Sequence, residues 1–126
     1  MALPENKKRS FANRFIGSIR NSISGICLSY KTEQSLWIHL FFTVVMIVLG
    51  ILTKVAFYEW ILLFLMMGLI LVAELINTAI ESLTDLVTTE IHPLAKRAKD
   101  VASAAVFVMT MLTVIIGSII FISNIV

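Results

Sequence analysis

Charge is scarce in this chain. Asp, Glu, Lys and Arg make up 14% of its 126 residues, where an ordinary soluble domain carries about 25%, and 59% of positions are hydrophobic with a mean hydropathy of +0.97. That balance excludes a soluble globular domain. Cysteine is nearly absent as well: Cys27 stands alone, which rules out an intrachain disulfide or a zinc-type cysteine cluster and points away from redox chemistry. Internal repeats, low-complexity tracts and flexible linkers are missing. A chain this short forms one domain at most, and as a monomer in water it would expose too much apolar surface, so lipid or other subunits must cover it. The expectation is an oligomeric integral membrane protein.

What is present is organised in long apolar runs. Residues 36–53, LWIHLFFTVVMIVLGILT, contain His39 as their one ionisable side chain and approach the thickness of a bilayer core, roughly 30 Å. After a short polar hinge, a second span is predicted over 58–87, purely apolar from Trp60 to Ala73 and then interrupted by carboxylates. Residues 88–100, TTEIHPLAKRAKD, read as a loop, and 101–123 as a third span. The stretch 10–31 differs. Phe11, Phe15, Ile19, Ile23 and Ile26 recur at helical spacing among Asn13, Arg14, Arg20 and Asn21, the pattern of an amphipathic helix lying on a membrane surface. Its apolar residues are too dispersed for a signal peptide, and Lys7, Lys8 and Arg9 ahead of it suit anionic headgroups. Nine of the ten Lys and Arg residues precede the first span or lie between the second and third. The positive-inside rule therefore puts the N-terminus and the 88–100 segment in the cytoplasm, and the hinge and C-terminus outside.

The second span carries polar residues that a lipid-facing helix would not. At 100° per residue Glu74, Asn77, Glu81 and Asp85 fall within an arc of about 80°, a single stripe. Ionisable groups at such depth cost several kcal/mol and face a partner, a bundle interior or a pathway. Candidate partners are Lys96, Arg97 and Lys99, or a bound metal ion, with Asp100 and Ser103 close in sequence and Glu33 at the same expected depth. Carboxylates at i and i+7 can hold a hard cation such as Mg²⁺, a basic residue can neutralise phosphate, and a further Glu can take a proton from a hydroxyl. Phosphoryl transfer to a membrane-bound alcohol uses all three. On spacing alone, a proton or cation pathway fits about as well, and so does a stripe that only holds helices together.

The string ELINTAIESLTDLV followed by HPLAKRAKDVASAAV resembles the small prokaryotic diacylglycerol kinases, whose pattern is Glu-x-x-Asn-(Ser/Thr)-Ala-Ile-Glu-x-x-x-Asp and then Ala-Lys-Asp-x-x-Ser-Ala-Ala-Val. The resemblance extends from about Arg14 to the end of the chain. It implies an all-α integral membrane fold of one surface helix and three transmembrane helices, assembled as a homotrimer with active sites between subunits, in a bacterial cell membrane. Residue by residue, Glu74 matches the general base for the lipid hydroxyl and Asn77 the asparagine that supports the site. Glu33 and Glu81 match the pair that holds Mg²⁺ against the phosphates of ATP. Arg14 looks like the phosphate-contacting arginine of the surface helix, Glu90, Lys99 and Asp100 look like nucleotide contacts, and Ser103 falls beside the lipid substrate. No Gly-x-x-x-x-Gly-Lys-(Ser/Thr), Gly-x-Gly-x-x-Gly or His-Arg-Asp with Asp-Phe-Gly occurs, so helix ends and side chains must hold the nucleotide. No nucleic-acid partner is expected.

The branch of this family typical of Gram-positive bacteria acts mainly on undecaprenol. The Lys7-Lys8-Arg9 extension, the apolar Leu36-Trp37-Ile38-His39 and Asn21 all depart from the diacylglycerol-preferring pattern, and an apolar groove beside the first span would suit a long polyprenol. The expected activity is ATP-dependent phosphorylation of undecaprenol, with diacylglycerol kinase as the alternative within the family and a small proton- or cation-coupled transporter as the alternative outside it. Among the remaining residues, His39 is read as a hydrogen-bonded packing or interfacial histidine in preference to a catalytic one. His92 either orders its loop or sits at the rim of the nucleotide site. Trp37 and Trp60 are read as interfacial anchors, Met66 and Met67 as helix packing with the lining of a lipid groove as the alternative, Cys27 as a small apolar residue, and Gly50, Gly68 and Gly117 as points of close helix approach.

Overall fold

The computed structural model describes residues 10–126, and among these every regular element is a helix: α1 (Phe11–Thr32), α2 (Gln34–Leu52), α3 (Phe57–Val87) and α4 (Pro93–Ile125). The Lys7-Lys8-Arg9 extension lies outside the described residues. A single residue separates α1 from α2. Glu33 adopts an extended conformation (φ −111°, ψ 113°) and its N–H still donates to Ser29 O, while the Ser29 and Thr32 hydroxyls donate back to the carbonyls of Gly25 and Leu28. Such back-bonding loosens a helix where it has to turn. Most of α1 is exposed, and it buries only Ser29.

The hinge between α2 and α3 is a Schellman turn. Val55 N–H donates to Gly50 O and Lys54 N–H to Ile51 O, and Lys54 takes the left-handed conformation (φ 54°) that glycine usually supplies. Val55, buried, anchors the turn against Leu63, Ile120 and Phe121. The close approach expected at Gly50 is present, because a Cβ there would lie 2.5 Å from the Trp60 ring. Trp60, near the start of α3, packs on Gly50 and stacks on Phe64. A Cβ on Gly117 would likewise meet Met46, whereas one on Gly68 would meet nothing within 4 Å among the described residues of the chain.

One boundary differs from the sequence reading. The charged segment 93–100 belongs to α4 rather than to a loop, which shrinks to residues 88–92. Pro93 opens the helix at a position where its missing N–H costs nothing, and His92 Nδ1 accepts from Leu94 N–H at 3.2 Å as an N-cap. Ala, Leu, Lys and Arg then propagate it. His92 thus has the loop-ordering role.

Helices α3 and α4 form an antiparallel pair, tied near one end by Glu59 to Asn124 and near the other by Asp85 to Lys99. Helices α2, α3 and α4 are each long and apolar enough to cross a membrane. The 19 residues of α2 rise about 28 Å, close to the hydrocarbon thickness, while the 31 of α3 rise about 46 Å. Because the hinge aligns the end of α2 with the start of α3, the excess of α3 projects past the first turn of α2. Glu74 lies level with that turn, at the edge of the apolar layer.

Candidate active site

Glu74 is 3% exposed, and both its carboxylate oxygens have partners on α2. Ser35 Oγ donates to Oε2 at 3.0 Å, and His39 Nε2 lies 2.8 Å from Oε1. Ser35 and His39 are one helical turn apart, so they present to the same point on α3. A lone carboxylate in such surroundings would be costly; here a hydroxyl and an imidazole satisfy it. The hydrogen bond expected of His39 is present, and its partner is Glu74. Ser35 was missed altogether. The i, i+4 spacing of the two on the first turn of a span, opposite the uppermost member of the acidic stripe, was the available signal.

Beside this cluster runs a groove of about 500 Å³ between α2, α3 and α4, lined mainly by apolar side chains such as Phe42, Met46, Phe64 and Leu71. His39 lines it. Glu74 does not, being set behind the imidazole.

The stripe continues towards the loop. Asn77 Nδ2 donates to Glu81 Oε1 at 2.9 Å, and Asn77 Oδ1 is buried with no donor. An amide oxygen left without a donor beside a carboxylate is a hard-oxygen environment, and it fits Mg²⁺, which needs only one or two protein carboxylates when phosphates and water complete its shell. No group of three or more His, Cys, Asp or Glu side chains placed to hold a metal occurs among the described residues. Further along, Lys99 pairs with Asp85 and Lys96 with Asp100. The hydrogen bond to Asp85 holds the Lys99 ammonium above the usual lysine range, opposed by desolvation and helped by the charges of Asp85 and Glu81.

Not every predicted residue joins these contacts. Among the described residues, the side chains of Glu33 and Ser103 make no hydrogen bond or ion pair to another element, and Ser103 and Glu90 are exposed. Arg14 lies in a separate polar recess of α1 with Asn13, Ser18 and Asn21.

A family model for prokaryotic diacylglycerol kinase matches residues 20–121. The chain belongs to the prokaryotic diacylglycerol kinase family. It is 39% identical over 113 residues to the undecaprenol kinase of Bacillus subtilis, covering 90% of this chain and 92% of that one. It is 35% identical over 109 residues to the diacylglycerol kinase of Pseudomonas aeruginosa, covering 86% and 89%. A shorter match, 59% over 49 residues, reaches the diacylglycerol kinase of Helicobacter pylori, covering 39% and 38%. Family membership makes the chain a membrane lipid kinase and not a transporter.

Proposed function

We propose that this protein transfers the γ-phosphoryl group of ATP to the hydroxyl of undecaprenol at the cytoplasmic face of a bacterial cell membrane. The observation that carries this reading is a buried, fully hydrogen-bonded Glu74 at the edge of the apolar layer, next to an apolar groove that opens along the spans. A polyprenol laid in that groove brings its hydroxyl to the polar end, where Glu74 supplies the negative charge that draws off the proton. Likeness over nine-tenths of the chain to a relative named undecaprenol kinase supports the choice of lipid.

Glu81, together with Glu33, would hold Mg²⁺, which when bound neutralises the charge of the nucleotide phosphates. Lys99, kept charged by Asp85, is placed to meet phosphate oxygens as charge develops. Arg14, Glu90 and Asp100 are assigned to the nucleotide and Ser103 to the lipid by their place in the family motif. The distribution of Lys and Arg supports a cytoplasmic N-terminus and 88–92 loop, with α1 on the inner surface. The large apolar area left exposed on α2, α3 and α4 is in keeping with a homotrimer in lipid.

Purified protein in detergent, given labelled ATP and Mg²⁺ with undecaprenol or a diacylglycerol in parallel, tests the reading. Faster turnover of undecaprenol is expected. Preference for diacylglycerol would move the activity to phosphatidate synthesis with the same site, and label on neither lipid would overturn the proposal.

A further inference from the structure

On the lipid kinase reading above, we propose that the ring of Tyr30 closes the head of the groove and holds the chain of the acceptor lipid next to its hydroxyl, with Trp37 as the residue that positions it. The groove runs along the spans from Tyr30, Leu36 and His39, at the level of Glu74, to Met46 and Phe64 further in. Among the described residues Tyr30 is the one member of that lining contributed by α1, and it is half-buried on a helix that is exposed almost throughout. Its place in the helix explains the contact. Ile19, Ile23, Ile26 and Tyr30 follow one another at steps of four, three and four, so Tyr30 continues the apolar stripe of α1. The isoleucines of that stripe are exposed, as a face lying on lipid has to be, whereas Tyr30 lines the groove. It therefore stands where a lipid chain passes from the bilayer into the site.

Trp37, on the first turn of α2, holds Tyr30 in two ways. Its indole N–H donates to Tyr30 O at 2.8 Å, and the two rings meet edge to face with centroids 5.5 Å apart. Tyr30 O is one of the last four carbonyls of α1, which lack a partner within their own helix, so a side chain from the next helix caps this end. Trp37 is itself 58% exposed and fills no core. What it does is bridge the elbow, where the single extended residue Glu33 joins α1 to α2. Edge-to-face pairing prefers a definite ring direction, and a ring already set leaves less to be ordered when the lipid binds. The groove, about 500 Å³, is of a size that encloses a drug-sized molecule. That is a small part of a polyprenol. The units next to the hydroxyl are held against Tyr30 and the remainder of the chain stays in the bilayer.

In the full chain, with ATP, Mg²⁺ and the lipid alcohol the wild type prefers, Tyr30→Ala should raise KM for the lipid about tenfold and leave KM for ATP within about threefold. Tyr30→Phe keeps the ring and should stay within about twofold of wild type. Trp37→Phe keeps a ring but loses the N–H, and should raise KM for the lipid about threefold. Because Trp37 acts through Tyr30, the same change should add nothing in the Tyr30→Ala background. An unchanged lipid KM in Tyr30→Ala, an equal rise in both KM values, or a Tyr30→Phe as impaired as Tyr30→Ala would overturn the proposal and leave the kinase reading standing. So would a Trp37→Phe effect that persists in full without Tyr30; a wild type that phosphorylates no lipid alcohol would sink both. A measurement on the wild type is independent of how the variants fold: a polyprenol carrying a diazirine on its first prenyl unit, bound without ATP and illuminated, should label Tyr30. Label that spares Tyr30 would overturn the proposal by itself.

Discussion

Helix α3 buries two carboxylates, and they live in opposite circumstances. Glu59 occupies the first turn, where it accepts the Ala56 N–H at 2.7 Å and the Asn124 amide at 3.0 Å and meets the positive end of the helix dipole. Every one of those partners is fixed in its protonation. Glu74, four turns on, has no helix end to lean on, and its partners are a hydroxyl and an imidazole beside an open groove. The first carboxylate is satisfied by groups that cannot change, the second by one that can. Burial alone therefore does not mark a functional acid; the kind of partner does.

Exchanging charge for amide at each position sharpens that contrast most. Glu74→Gln should lower kcat by about 10³-fold while the protein remains folded, whereas Glu59→Gln should keep kcat within about twofold of wild type and lose about 1–2 kcal/mol of stability. Parallel activity and thermal unfolding measurements on the two variants test both halves, and the comparison collapses if Glu74→Gln turns over normally. Next in size, Glu81→Ala should raise the Mg²⁺ concentration needed for half-maximal rate by about tenfold or more, since Mg²⁺ relies on few protein ligands. An unchanged metal titration would remove Glu81 from the metal site. At the hinge end, Gly50→Ala places a methyl against the Trp60 ring, which is stacked on Phe64 and has little room to retreat. A loss of about 1–3 kcal/mol of stability is expected, read from thermal unfolding of the variant beside the wild type.

The sequence made the helices legible because lipid demands long apolar runs, and a run of that kind cannot be mistaken for anything else. It also placed Glu74, Asn77, Glu81 and Asp85 on one stripe, and it named Lys99 among the possible partners of that stripe. What it could not convey was the pairing across helices. The meeting of His39 with Glu74 depends on how far α2 slides along α3, a register set by Val55 in the hinge and by the contact of Gly50 with Trp60. The i, i+4 spacing of Ser35 and His39 marks a polar face on α2 but does not carry that register. The start of α4 was misplaced for a different reason: charge density reads as loop, yet Lys, Arg and Ala are strong helix formers, and a proline at the first position is a start signal as readily as a stop.

The smallest expected effect concerns another carboxylate of α3, Asp85, which meets a cation in the open. The Lys99 ammonium is held above its ordinary value by its hydrogen bond to Asp85, so the folded state binds that proton more tightly than the unfolded chain does. The stabilisation is then complete below the unfolded value, about 10.4, and is lost only as pH rises through the higher folded value. Asp85→Asn should lower the thermal midpoint slightly and by a constant amount from about pH 6 to 9, with the gap to wild type closing only above about 10.4. A gap that closes between about pH 6 and 8 would point to a histidine rather than Lys99 as the group whose proton Asp85 holds.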